Sequence, residues 1–79
     1  MTPTVFRKGP YRFFFFSRDE TRVHVHVESA DGEVKFWLEP EVEVARNYRL
    51  TENDLTKIRK LILEHEKEIR DAWNGHFGS

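Results

Sequence analysis

Two stretches of strict alternation joined by a turn signal constrain this chain more than any other feature. Val23-His24-Val25-His26-Val27-Glu28 and Glu33-Val34-Lys35-Phe36-Trp37-Leu38 each switch between two residue sets at every step. Side chains of a strand alternate between the faces of a sheet, so each stretch reads as a half-buried strand. Ser29-Ala30-Asp31-Gly32 lies between them, and Asp-Gly between alternating runs signals a hairpin. A two-residue turn at Asp31-Gly32 would pair Glu28 with Lys35 and His26 with Trp37. A four-residue loop would pair His26 with Lys35 and His24 with Trp37. Both registers give the same faces. Val23, Val25, Val27, Val34, Phe36 and Leu38 form the core face, and His24, His26, Glu28, Glu33, Lys35 and Trp37 form the other.

The flanking segments extend this hairpin into a sheet over residues 4–44 and a helix over about 52–74. Thr4 to Arg7 reads as a first short strand, Lys8-Gly9-Pro10 as a turn and Tyr11 to Phe16 as a second strand. The run Phe13-Phe14-Phe15-Phe16 must send rings to both faces. Ser17 to Arg22 is a polar connection. Pro40 ends the hairpin's second strand, because it has no N–H to donate. Val42-Glu43-Val44 fits either a short edge strand or an irregular connection. Thr51 is an N-cap residue, with Glu52 and Asp54 in the first turn, where acids suit the helix dipole. Gly75 is a natural helix stop. Such a helix is roughly 34 Å long, against roughly 20 Å for a six-residue strand, so one end should overhang. Leu55, Ile58, Ile62, His65, Ile69, Ala72 and Trp73 form one stripe. Leu63 points away from it, toward Arg59, Lys60, Lys67 and Arg70. The expected fold is α+β: a small antiparallel sheet of three to four strands packed against one long C-terminal helix, as a single domain over residues 1–79.

A chain of 79 residues has a thin core. It contains no Cys, which excludes disulfides and thiolate zinc sites. Seven Phe, two Tyr and two Trp supply buried area instead. No apolar run approaches a membrane span, and the first residues lack a signal peptide's apolar stretch, so a cytoplasmic protein is expected. The net charge of −1 argues against a general attraction for nucleic acid. The charge is uneven, however. In residues 1–27 five basic residues against Asp19 and Glu20 leave +3, whereas residues 28–45 set Lys35 against six acids and carry −5.

Tyr11-Arg12-Phe13-Phe14-Phe15, His24-Val25-His26-Val27, Lys35-Phe36-Trp37-Leu38, Ala45-Arg46-Asn47-Tyr48 and the helix ending in Trp73 and Phe77-Gly78 occur in one order along the chain. This ordered set resembles a small bacterial family catalogued as domain of unknown function 4160. The family has no established activity. Its members often lie beside another small protein, and the resemblance implies a toxin–antitoxin-like pair. Two positions depart from the family's pattern. Arg22-Val23 stands where a proline usually precedes the first histidine, and Arg49 stands where glycine often follows the Asn-Tyr pair. A left-handed turn at Arg49 would carry steric strain.

His24 and His26 are the sharpest chemical feature. Alternate strand positions put both imidazoles on one face, about 7 Å apart at Cα. Two rings at that spacing can meet one divalent ion, with Glu28 on the same face as a third candidate ligand, and His65 and His76 at unknown distances. The same two histidines could work as acid and base in RNA cleavage, with Lys35 steadying a phosphate and Trp37 stacking a base. No orienting third residue is identifiable, and a stable zinc site usually needs more than this set. No cofactor or tightly held metal is therefore expected. The bland alternative is an ordinary half-exposed strand face.

The reading with most support is a non-enzymatic interaction module whose partner-binding residues are His24, His26, Lys35 and Trp37, since Trp is enriched at interface hot spots. The expected partner is a small protein encoded nearby, a second copy of the chain, or both. A small ribonuclease-like or metal-dependent enzyme using His24 and His26 is the alternative. Nucleic-acid binding through Arg7, Lys8, Arg12 and Arg18 is a further one. His65 reads as a core histidine, and the Arg59, Lys60, Lys67, Arg70 cluster as a solvated face with Glu64, Glu66 and Asp71 placed to pair with it. On this reading, replacing both strand histidines by Ala leaves the fold intact.

Overall fold

A computed structural model describes residues 4–15 and 22–77 of the chain. Phe16, Arg18 and Gly78 lie outside the described residues, as does most of the expected polar connection from Ser17 to Arg22. Five antiparallel strands follow one another as neighbours in a single sheet: β1 (Thr4–Lys8), β2 (Tyr11–Phe14), β3 (His24–Glu28), β4 (Glu33–Trp37) and β5 (Glu43–Tyr48). Two helices follow, α1 (Glu52–Glu64) and α2 (Glu66–Phe77). The α+β architecture is as the sequence predicts, with two corrections. The sheet has five strands and extends to Tyr48, and the single long helix is two.

The central hairpin takes the four-residue loop. His24 pairs with Trp37, Val25 with Phe36, His26 with Lys35 and Glu28 with Glu33, and the Ser29 N–H closes the loop on the Gly32 carbonyl at 2.9 Å. A side chain on Gly32 would run into the Tyr48 carbonyl, because this loop packs against the turn that follows β5. Gly9, at φ 59°, turns β1 into β2.

β5 settles the ambiguous segment. Phe36 pairs with Val44 and Lys35 with Arg46, so Ala45 is an extra residue that bulges the strand. That insertion changes the parity. Val44 and Asn47 lie on the helix side, while Arg46 and Tyr48 join Lys35 and Glu33 on the other. Beyond β5, Arg49 does adopt the left-handed conformation, at φ 69°. Asn47 clamps the turn around it, donating to the Leu50 carbonyl at 2.9 Å and accepting from the Leu50 N–H at 3.2 Å.

Thr51 caps α1 in a reciprocal capping box. The Asp54 N–H donates to its hydroxyl, and its own N–H donates to the Asp54 carboxylate. The helix breaks at His65, whose backbone (φ −112°, ψ 20°) leaves the helical range. The Leu61 and His65 carbonyls still accept from the His65 and Ile69 N–H groups. Buried residues lie on both sides of the break, Ile58 and Ile62 of α1 and Ile69 and Trp73 of α2. α2 also runs through Gly75 to Phe77, past the expected stop.

The core lies between the helices and one sheet face. Tyr11, Phe13, Phe15, Val25, Val27, Val34, Phe36 and Leu38 meet the helix stripe there, with Val23, Leu55, Ala72 and Phe77 partly buried around it. Leu63 is exposed, as its position off the stripe implies. Arg70 departs from its expected place on the solvated face. It is half-buried, donates to the Leu38 carbonyl at 2.9 Å and holds Glu66 at 2.9 Å, tying α2 to the end of β4. Lys67 pairs with Asp71 at 2.9 Å. Among the described residues, no helix is long and apolar enough to cross a membrane.

Candidate functional site

The sheet face turned away from the helices carries the residues that the alternation singles out. One row runs Phe14–His26–Lys35–Arg46 across four strands, and a second runs Arg12–Glu28–Glu33–Tyr48. His24, Trp37 and Glu43 continue the face at one end.

The two histidines share this face but not their surroundings. His26 is half-buried, stacked on the Phe14 ring at 5.4 Å. His24 has no exposed surface, which corrects its expected place on the solvent side. Among the described residues, three rings converge on it: His26 at 5.1 Å, Trp37 at 5.5 Å and Trp73 of α2 at 5.1 Å. Its Nδ1 lies 2.7 Å from the Arg22 carbonyl oxygen. A carbonyl only accepts, so Nδ1 carries the proton and the ring is held in one tautomer. A ring so enclosed is a packed structural element.

Trp37 is half-buried, with cations over its ring: the Arg22 guanidinium at 4.1 Å and the Lys35 ammonium at 4.4 Å. Each such contact contributes about 0.5–1 kcal/mol at an exposed site. The stack fixes Lys35 between Trp37 and the His26–Arg46 row. His26, Glu33, Val34, Lys35, Arg46 and Tyr48 line a shallow hollow of about 210 Å³. Tyr48 stands 61% exposed at its rim. Arg46 and Tyr48 escape the alternation argument because the Ala45 bulge resets their parity. Their only sequence signal is the Ala45-Arg46-Asn47-Tyr48 run.

The remaining candidates divide. Glu28, the third candidate metal ligand, is taken by Arg12 at 2.7 Å. Among the described residues, no three His, Asp or Glu side chains gather as a metal would require. His65 sits far along the chain against Phe6 (4.7 Å) and Glu68 (3.2 Å), and His76 against Phe15 and Phe77. Of the four basic residues assigned to nucleic acid, Arg7 and Lys8 are exposed on β1. Arg12 instead lies over Phe14 at 4.5 Å and donates to Glu28 and to the Thr4 hydroxyl. Arg18 is outside the described residues. Arg7 is the cross-strand partner of Arg12, so these two bases are neighbours on adjacent strands.

Residues 11–74 match the family described as Domain of unknown function (DUF4160). No curated protein and no solved structure matches the chain. The match takes in β2 through most of α2 and leaves β1 outside it. The chain belongs to this family of domains of unknown function.

Proposed function

We propose that this chain is a protein-interaction module, one component of a toxin–antitoxin-like pair, and that it grips its partner with the outer face of the sheet. The observation that carries the reading is the hollow bounded by His26, Lys35, Arg46 and Tyr48 beside the cation-stacked Trp37. Aromatic and cationic side chains held in place by their neighbours lose little freedom on binding, which is the chemistry of interface hot spots. His24 belongs to the site as its packed floor, supporting Trp37 from behind. The pairing with a second small protein follows from what the family resemblance implies about neighbouring genes.

Co-expression with the product of the adjacent gene tests this. A stable complex is expected, with Trp37→Ala and Tyr48→Ala each weakening it by about tenfold or more and Leu63→Ala leaving it unchanged. No complex, or wild-type affinity in both variants, sinks the reading.

A further inference from the structure

β5 is an edge strand, bonded to β4 and to no other strand among the described residues. Edges commonly carry charges or bulges that discourage pairing. Here the bulge sits at Ala45, and the residues before it are regular, with Glu43 opposite Trp37 and Val44 opposite Phe36. Beside this stretch a groove of about 450 Å³ opens between β5 and α1. Its wall is apolar. Phe36 is buried, Leu55 is half-buried, and Val44, on the core-facing side, is left 44% exposed. The apolar face of the sheet thus runs out to the edge without cover at this point. The rim is acidic, with Glu41, Glu43 and Glu52 against the single base Arg59. Arg22 approaches Glu43 at 3.3 Å, but both groups are solvated and neutralise each other little.

We propose that the β5 edge is a strand-addition site for an extended segment of a partner protein in which apolar and basic residues alternate. The segment's backbone pairs with the outer N–H and C=O groups of residues 41–44. Its apolar side chains enter the groove against Val44 and Leu55. Its basic side chains, on the opposite face, meet Glu43 and, by alternation, Glu41. Alternation of the added strand supplies both sets at once, apolar on one face and charged on the other. A helix in the groove would leave the edge groups unpaired, and a nucleic acid would set phosphates against the three acids. A second copy pairing through its own β5 would oppose acid to acid. This surface is separate from the hollow on the outer face and stands whether or not that face binds a partner.

The probe is a capped alternating Lys-Val peptide, titrated into the isotope-labelled protein and followed by amide chemical shifts and hydrogen exchange. Saturable shifts confined to residues 41–45 and the first turns of α1, slowed exchange in β5, and weakening by rising salt are expected. Val44→Lys and, separately, Glu41→Lys should each weaken binding about tenfold, with unchanged circular dichroism. Equal binding of a Glu-Val peptide would overturn the proposal. So would shifts centred on the His26–Lys35–Arg46 hollow, or no shift at all. Concentration-dependent self-association lost in Val44→Lys would overturn it in favour of a second copy.

Discussion

Along β3, Val25 and Val27 point toward the helices and His24 and His26 point away, yet three of these four residues are closed off from water. On the helix side, Val25, Val27, Val34, Phe36 and Leu38 are all closed into one core with Ile58, Ile62, Ile69 and Trp73, and only at the β5 edge does Val44 open to solvent. On the outer side burial is graded. His24 is enclosed, His26, Lys35 and Trp37 are half-buried, and Tyr48 stands free of cover. Alternation therefore assigns a direction to each side chain, whereas burial depends on what other segments bring. Trp73, seven places after Glu66 at the start of α2, packs against the His24 ring at 5.1 Å. The inner face is a core in the ordinary sense. The outer face is a graded surface whose closed end holds its open end in place.

The sharpest way to break this comparison is to truncate matched positions on the two faces. Phe36→Ala should cost about 3–5 kcal/mol and Ile62→Ala about 2–5 kcal/mol, because both leave cavities in the closed core. Denaturant midpoints near wild type in either would mean the face assignment is wrong. The two histidines provide the same contrast within one face. His24→Ala removes a fully enclosed ring from between Trp37 and Trp73 and should cost about 2–4 kcal/mol by the same cavity argument. His26→Ala, half-buried, should cost under about 1 kcal/mol. Urea melts of the two single variants test this, and equal losses would erase the distinction. The double variant should consequently be destabilised, which replaces the expectation that the pair is dispensable for folding.

Much of the inner face was legible from residue pattern alone. The period of two in β3 and β4, the Asp31-Gly32 turn and the Thr51 cap each reflect a local cause, and local causes are written in adjacent residues. The helix stripe was legible too, and the break at His65 was not. The hydrogen-bond ladder continues across it, so Ile62, His65 and Ile69 keep helical spacing on both sides. β5 was obscured for the opposite reason. Its extra residue at Ala45 destroys the alternation that would have announced a strand, placing Val44 and Asn47 on one side and Arg46 and Tyr48 on the other. The hollow on the outer face depends on that bulge, so Arg46 and Tyr48 in its lining could not be assigned from spacing.

The seam between the faces, where β5 turns into α1, offers a smaller effect of opposite sign. Arg49 holds φ 69°, which costs a residue with a Cβ roughly 1–2 kcal/mol. Glycine avoids that strain but loses about 0.5–1 kcal/mol more backbone entropy on folding. Arg49→Gly should therefore stabilise the protein by roughly 0.5–1 kcal/mol. Arg49→Val, β-branched at the same dihedral, should destabilise it. The check is the urea midpoint at constant slope. A glycine variant no more stable than wild type would show that the Asn47 clamp already absorbs the strain.

The smallest expected effect lies on a polar tie between the inner face and α1. The Tyr11 hydroxyl donates to an Asp54 carboxylate oxygen at 2.9 Å across 43 residues of chain. Burial, and then the bond to Asp54, pushes the Tyr11 hydroxyl above its usual 10.0. That bond is also the main cause holding the Asp54 carboxyl below its usual 3.8, with the Thr51 N–H and hydroxyl adding to it. A carboxyl depressed in the folded state stabilises fully above its unfolded value, and the stabilisation is lost as pH falls through the folded value. Tyr11→Phe removes the largest cause and leaves the Thr51 contacts. The variant should thus be slightly less stable than wild type at neutral pH, and the gap should close as both are taken into acid. Titration of the Asp54 carboxyl by NMR reads the same event directly, with a midpoint that rises in Tyr11→Phe toward the ordinary carboxylate range. An unmoved midpoint would mean that the capping box alone sets the acidity of Asp54, and that the tie between sheet and helix does not hold in solution.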